Sequence, residues 1–297
     1  EGFGPDYELH NHNAYCETCA AIANVYWNYR MFLATGDAKY MDVLERALYN
    51  GVISGVSLGG DAFFYDNPLE SMGQHLRQPW FGCACCPGNI TRFMASVPGY
   101  MYAVQGKDVY VNLYVQGRAH VETSAGEITL EQVTKHPWEG HVKLTVNPAE
   151  ETKFALKLRI PGWAQDAPVP TGLYSFVNGK GAYTVTVNGN KITRKPKKGY
   201  LIIERTWEKG DLVEIELPMA VRQIKAHDAV VDDRGKLAIQ RGPIVYCIEG
   251  KDQNDSTVFN KYIPENTSFT THYDSELLNG VTVLTGTAIQ VERDGRE

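Results

Sequence analysis

The chain has 297 residues, 43% of them hydrophobic and 22% charged, with a net charge of -6. That is an ordinary globular composition, long enough for two domains, and it offers no basic patch for nucleic acid. The longest apolar runs break within a few residues at Gly, Asp or Arg, so no segment reads as a membrane span.

Taken in order, the first hundred residues have helical periodicity and the rest has the periodicity of sheet. From Ala14 to Leu33 there is no Pro or Gly, and Cys19, Ile22, Ala23, Tyr26, Tyr29, Met31 and Leu33 recur at roughly helical spacing. Thr35-Gly36-Asp37 ends this helix and caps a second, from about Ala38 to Ile53, with Met41, Leu44, Ala47 and Leu48 on one face. Two helices joined by a short turn make an αα-hairpin, the unit of helical barrels and solenoids. Next comes an aromatic stretch, Phe63-Phe64-Tyr65-Asp66-Asn67-Pro68-Leu69-Glu70 and then Gln78-Pro79-Trp80-Phe81-Gly82. It reads either as a loop plugging the helical core or as a surface that binds sugars against its rings. A third helix is expected from Pro87, whose fixed φ suits a first helical position, to Val97.

Five of the six cysteines fall in two short segments, Cys16-Glu17-Thr18-Cys19 and Cys83-Ala84-Cys85-Cys86. Glu17, Cys19, Cys85 and Cys86 offer one oxygen and three sulfurs, a donor set suited to tetrahedral Zn2+. The spacing is not that of a zinc finger, and on spacing alone buried free thiols with one disulfide fit as well. Cys85 and Cys86 immediately precede the third helix, where the helix dipole and free N–H groups favour thiolate. Cys247 lies in a strand pattern and reads as core.

After about Asp108 the period becomes two. Strands are expected over Val109–Val115, Val142–Val146, Phe154–Ile160, Tyr183–Val187, Leu201–Arg205, Val213–Leu217 and Leu237–Ile239, with an edge strand within Thr282–Val291. Asn178-Gly179, Asn188-Gly189 and Lys209-Gly210-Asp211 mark turns. The fold class is therefore α+β and multidomain, with helices over residues 1–105 and an antiparallel, jelly-roll-like β-sandwich over residues 106–297.

The ordered motifs carry a resemblance. Glu1-Gly2-Phe3-Gly4-Pro5-Asp6-Tyr7, Ala14-Tyr15-Cys16-Glu17-Thr18-Cys19-Ala20, Phe64-Tyr65-Asp66-Asn67-Pro68-Leu69-Glu70 and Trp80-Phe81-Gly82-Cys83-Ala84-Cys85-Cys86-Pro87 resemble glycoside hydrolase family 127, the β-L-arabinofuranosidases. Ile160-Pro161-Gly162-Trp163-Ala164, Trp207-Glu208-Lys209-Gly210-Asp211 and Gln240-Arg241-Gly242-Pro243 are similar to that family's β-sandwich. The resemblance implies an (α/α)6 barrel followed by β-sandwich modules, with this chain holding the last barrel helices and the sandwich region. We therefore expect it to belong to a longer polypeptide and to be inactive alone.

The resemblance also assigns roles. It implies that Glu17, Cys19, Cys85 and Cys86 ligate zinc, that Cys85 is the nucleophile and Glu1 the general acid/base, and that Glu45 and Tyr65 contact the sugar. Otherwise Glu45 is a helix-face carboxylate paired with Arg46 or Lys39, and Tyr65 a packed ring. His10, His12 and His75 are further candidate pocket donors, whereas Cys16 and Cys83 read as neighbours of a site that four ligands already fill. The implied substrate is a small carbohydrate, an arabinofuranoside of plant cell-wall glycan, with no nucleic-acid or membrane partner. Two rival classes are a non-catalytic carbohydrate-binding β-sandwich with a structural zinc and a zinc-thiolate redox sensor. The N-terminus shows neither Met nor a signal-peptide pattern, so cytoplasm and periplasm both remain open for a soluble chain.

Overall fold

The computed structural model describes residues 4–254, 256–265 and 267–291. Helix α1 (Thr18–Thr35) ends at Gly36, which adopts φ 62° and returns its N–H to Phe32 O, a conformation that suits glycine. Helix α2 (Ala38–Ala47) is capped by Asp37, whose side chain accepts from Lys39 N. It runs on through a π turn (Leu48–Val52) and a 3-10 turn (Ile53–Gly55). Helix α3 (Cys85–Ser96) follows the aromatic loop.

Fourteen strands make the three larger sheets among the described residues. The first are β1 (Tyr102–Gln105), β2 (Asp108–Val111), β3 (Gly117–Thr123), β4 (Gly126–Thr134), β5 (His141–Pro148), β6 (Thr152–Arg159) and β7 (Tyr174–Phe176). Then come β8 (Thr184–Val187), β9 (Asn190–Lys191), β10 (Tyr200–Trp207), β11 (Asp211–Glu216), β12 (Val221–Ala226), β13 (Ala238–Arg241) and β14 (Ile244–Tyr246). A four-stranded sheet, β1-β2-β6-β10, and a six-stranded sheet, β3-β4-β5-β11-β8-β9, share one core. Leu156, Leu158 and Leu201 from the first meet Leu144, Val146 and Val213 from the second. On β5, Val142, Leu144 and Val146 are all buried. A one-residue slip of register would turn this row to water at about 1.5–3 kcal/mol per side chain. A third sheet runs β14-β13-β12-β7, and two ribbons pair Lys261–Tyr262 with Ile289–Gln290 and Thr270–Asp274 with Val281–Thr285.

The helices form a second core, in which Ile22, Val25, Phe32, Met41, Leu44 and Phe93 pack with Leu113 and Tyr200 from the sheet side. No helix among the described residues is long and apolar enough to cross a membrane.

The fold is mixed α+β with sheet predominant, and its details differ from the sequence reading in several places. Helix α1 starts at Thr18 rather than Ala14, because Glu17 is drawn into a β-bridge with Asp66 and Thr18 N bonds Tyr65 O at 3.0 Å. Its buried stripe is Thr18, Ile22, Val25, Asn28 and Phe32, leaving Leu33 exposed. The first sheet is not wholly antiparallel. β2 and β6 pair in parallel, since the chain between them crosses to the other sheet and returns in the same direction. β2 also stops at Val111, because Asn112 and Leu113 turn their N–H groups to Met101 O and Leu113 enters the helical core. The β3–β4 hairpin adds two strands to those expected from sequence, although Arg118, His120 and Glu122 alternate with Ala119 and Val121 along β3. Sheet begins at Tyr102, slightly ahead of residue 105, and Cys247 is exposed just beyond β14 rather than in the core. The Asn188-Gly189 turn is as read: both residues have positive φ, as a two-residue hairpin demands.

Candidate metal and catalytic site

Two segments 67 residues apart meet where α1 begins against the start of α3. Glu17 immediately precedes α1 and Cys19 lies in its first turn, while Cys85 and Cys86 open α3. Tyr26 on α1 meets Phe93 on α3 edge to face at 5.7 Å, and this packing fixes how the two helix starts face one another. Thr18 Oγ1 donates to Phe64 O at 3.0 Å, tying the start of α1 to the aromatic loop. Gly55 lies so close that a Cβ there would meet Thr18 Cγ2 at 2.6 Å, so a side chain at that position would push Thr18, between Glu17 and Cys19, out of place.

The donor atoms of Glu17, Cys19, Cys85 and Cys86 all lie within 4.8 Å of one another. Cys19 Sγ is 3.4 Å from Cys86 Sγ, Cys85 Sγ is 3.8 Å from Cys86 Sγ, and Glu17 Oε1 is 3.3 Å from Cys85 Sγ and 3.9 Å from Cys86 Sγ. Tetrahedral zinc with sulfur at about 2.3 Å and oxygen at about 2.0 Å has ligand-to-ligand edges of roughly 3.5–3.8 Å, so these four donors fit such an ion. They do not fit a disulfide: all six cysteines are free thiols.

Charge points the same way. Burial pushes Cys19 and Cys86 up to about 11, against hydrogen bonds from Asn89 to Cys19 and from Cys19 to Cys86 that favour thiolate, while burial with Cys19 and Glu17 beside it pushes Cys85 up to about 12. Burial also opposes a charged Glu17, but hydrogen bonds from Tyr15, Cys85, Cys19 and Tyr65 outweigh it and hold the carboxyl below its usual range. Three thiols around a carboxylate are thus protonated by themselves, and a divalent cation reverses that preference.

Around the cluster, Tyr15 OH donates to Glu17 Oε2 and lies 3.4 Å from Tyr65 OH. Asn89 Nδ2 donates to Cys19 Sγ at 3.0 Å. The sequence motifs assign no role to Tyr15 or Asn89, although Tyr15 stands two residues from Glu17 and Asn89 one helical turn beyond Cys85. Tyr65 sits edge on to Phe81 at 5.9 Å, and both line a cleft of about 290 Å3 that also includes Asp66, Gln78, His75 and Cys83. Cys83 Sγ is 4.0 Å from Cys85 Sγ, so the cleft opens beside the cluster. His10 is instead occupied by Asp232 at 2.9 Å, and Cys16 Sγ turns to Ala14 O, outside the donor set. Glu1 lies outside the described residues.

Glu45 requires a correction. It is 1% exposed; Arg159 Nη2 donates to its Oε1, and Arg159 Nη1 and Trp163 Nε1 donate to its Oε2 at 3.4 and 3.0 Å. Both oxygens are engaged inside the protein, so Glu45 is a structural carboxylate rather than a sugar contact. Its partner is Arg159, not Arg46 or Lys39. Asp42 Oδ1 accepts from the same guanidinium at 2.7 Å, and His136 lies 3.9 Å from Glu45. This network joins α2 to β6, a pairing that residues 114 positions apart conceal in the sequence.

Comparison with known proteins bears on the whole chain. Residues 1–99 match the GH127 catalytic domain of β-L-arabinofuranosidase, residues 108–219 the GH127 middle domain, and residues 221–288 the glycoside hydrolase family 127 C-terminal domain. The non-reducing end β-L-arabinofuranosidase of Bifidobacterium longum subsp. longum is 35% identical over 99% of this chain and 45% of its own length. Among solved structures, a GH127 β-arabinofuranosidase superposes with a TM-score of 0.95 at 49% identity, over 99% of this chain and 46% of that one. The GH127 β-L-arabinofuranosidase of Geobacillus stearothermophilus T6 superposes with a TM-score of 0.89 at 41% identity, over 98% and 45%. The chain thus spans about half the length of the relatives it matches. With three consecutive family matches in the family's own order and a superposable backbone, the chain belongs to glycoside hydrolase family 127.

Proposed function

We propose that this chain carries the zinc and nucleophile half of a retaining glycoside hydrolase that cleaves β-L-arabinofuranosides. The observation that carries the reading is the convergence of Glu17, Cys19, Cys85 and Cys86 beside an aromatic cleft. The names of the similar proteins supply the sugar. Glu17, Cys19, Cys85 and Cys86 would hold Zn2+, which when bound supplies the positive charge that keeps Cys85 a thiolate near neutral pH.

Cys85 sulfur attacks the anomeric carbon, forming a C–S bond as the glycosidic C–O bond breaks, and Glu1 gives its proton to the leaving oxygen. In the second half, Glu1 takes a proton from water, the water oxygen bonds to the same carbon, and the C–S bond breaks to return Cys85. Two inversions give net retention. Tyr65, on the cleft wall beside Cys83, contacts the sugar. The helices would form the closing part of an (α/α)6 barrel. The exposed Trp27, Leu33, Leu69, Met72, Leu76 and Trp80 are apolar groups that further helices would cover.

Two measurements on the longer polypeptide expected to carry this chain test this. Mass spectrometry after treatment with a mechanism-based inhibitor shaped like L-arabinofuranose should place the adduct on Cys85; an adduct on a carboxylate instead removes the thiol mechanism. Chelation of the metal should abolish hydrolysis of an aryl β-L-arabinofuranoside, and one equivalent of Zn2+ should restore it. Full activity in protein shown to be metal-free would exclude the zinc site.

A further inference from the structure

The loop between β12 and β13, residues 227–236, lies in the segment that matches the family's C-terminal domain, yet its side chains grip the segments that carry the site. Asn11 is the centre of that grip. It is only 6% exposed, and its Nδ2 donates to Asp233 Oδ1 at 2.8 Å, with Asp232 O at 3.3 Å and Glu70 Oε1 at 3.4 Å around it. Glu70 N donates back to Asn11 O at 3.3 Å, and Lys236 Nζ pairs with Glu70 Oε1. His10 Nδ1 meets Asp232 Oδ2 at 2.9 Å, and Tyr7 stacks on His227 with ring centroids 5.1 Å apart.

From this grip two short backbone paths lead to the cluster. Along the first strand of chain, Asn11 is six residues before Glu17. Along the second, Glu70 is four residues after Asp66, which bridges Glu17, and five after Tyr65, whose carbonyl accepts from Thr18 N at 3.0 Å. Asn67 N closes the ladder on Cys16 O at 3.3 Å. Neither path contains a helix or a long strand of its own; Asn67 Nδ2 also ties the second path to Ser54 Oγ at 2.9 Å, and beyond that point the 227–236 loop grips the outer ends at Asn11 and Glu70. Asp233 and its neighbours supply the fixed point from a 3-10 turn (Val231–Asp233) between β12 and β13.

We infer that the β12–β13 loop is part of the active-site framework, with Asn11, Glu70 and Asp233 as positioning residues that set where Glu17 and Tyr65 stand. The C-terminal sheet is then required for turnover without touching substrate. The inference rests on the function proposed above. A displacement of Glu17 by even about 1 Å is the kind of misplacement that costs catalysis by factors of ten to a hundred.

The test compares Asp233→Ala with Asp233→Asn in the zinc-loaded longer polypeptide expected to carry this chain, far below its unfolding temperature. The introduced asparagine can still accept from Asn11 through its Oδ1, whereas the introduced alanine has no acceptor to offer. Asp233→Ala should lower kcat on an aryl β-L-arabinofuranoside about tenfold and slow covalent labelling of Cys85 in parallel, while Asp233→Asn stays within about twofold of the parent in both. Wild-type rates in Asp233→Ala, or an equal loss in Asp233→Asn, would overturn the inference while leaving the proposed function intact. A parent protein that neither labels at Cys85 nor hydrolyses the glycoside fails at the earlier step, and the inference falls with it.

Discussion

Replacing Cys85 by serine, in the longer polypeptide expected to carry this chain, should lower kcat on an aryl β-L-arabinofuranoside by on the order of 10^4-fold or more, the scale seen when a covalent nucleophile is removed from an enzyme whose other groups stay in place. The side chain differs by one atom, so packing at the start of α3 is little disturbed. Serine oxygen, however, is a far weaker nucleophile than thiolate sulfur and does not ionise near neutral pH. Glu17, Cys19 and Cys86 remain within reach of one another, so the variant should still bind metal, though less tightly. Cys16→Ser, by contrast, should retain most activity, because that thiol turns to Ala14 O and not to the donor set. Turnover, metal content and circular dichroism on the same samples check all of this. A Cys85→Ser protein that is folded, metal-loaded and retains a tenth of the parent's turnover would end the case for a sulfur nucleophile.

The second large effect is on stability. Arg159 is fully buried and Glu45 nearly so, with Asp42 on the same guanidinium and Arg159 Nε donating to Asn112 O at 2.5 Å. Burial alone would favour neutral Glu45, and the Arg159 guanidinium, with Trp163 Nε1 donating to the carboxylate, holds it ionised instead. Arg159→Met removes the cation and strands two carboxylates between α2 and β6, which should cost about 3–5 kcal/mol. For a chain of this size the thermal midpoint should drop by on the order of 10 °C. Glu45→Gln leaves Asp42 on Arg159 and a carbonyl oxygen for Trp163, so its cost should be smaller, about 1–2 kcal/mol. Differential scanning calorimetry reads both. The same variants separate the two roles considered for Glu45: a sugar contact predicts a raised KM at unchanged stability, whereas the buried pair predicts lower stability at little changed KM.

Local chemistry made the four donor residues legible. A carboxylate and a thiol two residues apart, and adjacent thiols before a helix-starting proline, are unusual enough to stand out whatever surrounds them. The same holds for Asn188-Gly189, where only residues tolerant of positive φ can make the turn. Glu45 shows the opposite case. Its helix position allowed Lys39 or Arg46 as partner, and nothing nearby in sequence announces Arg159.

Short segments therefore specify the type of most long elements, though not of β3, β4 or β12, as well as the family and the identity of the metal-fitting residues, because periodicity, turn residues and ligand chemistry are local properties. Which distant groups meet is settled by the packed fold: Glu17 with Cys85, Arg159 with Glu45, Asn11 with Asp233, and β2 beside β6. Those pairings depend on how two cores pack and on which buried polar groups then find partners, a condition satisfied across the whole chain at once and written in no single stretch of it.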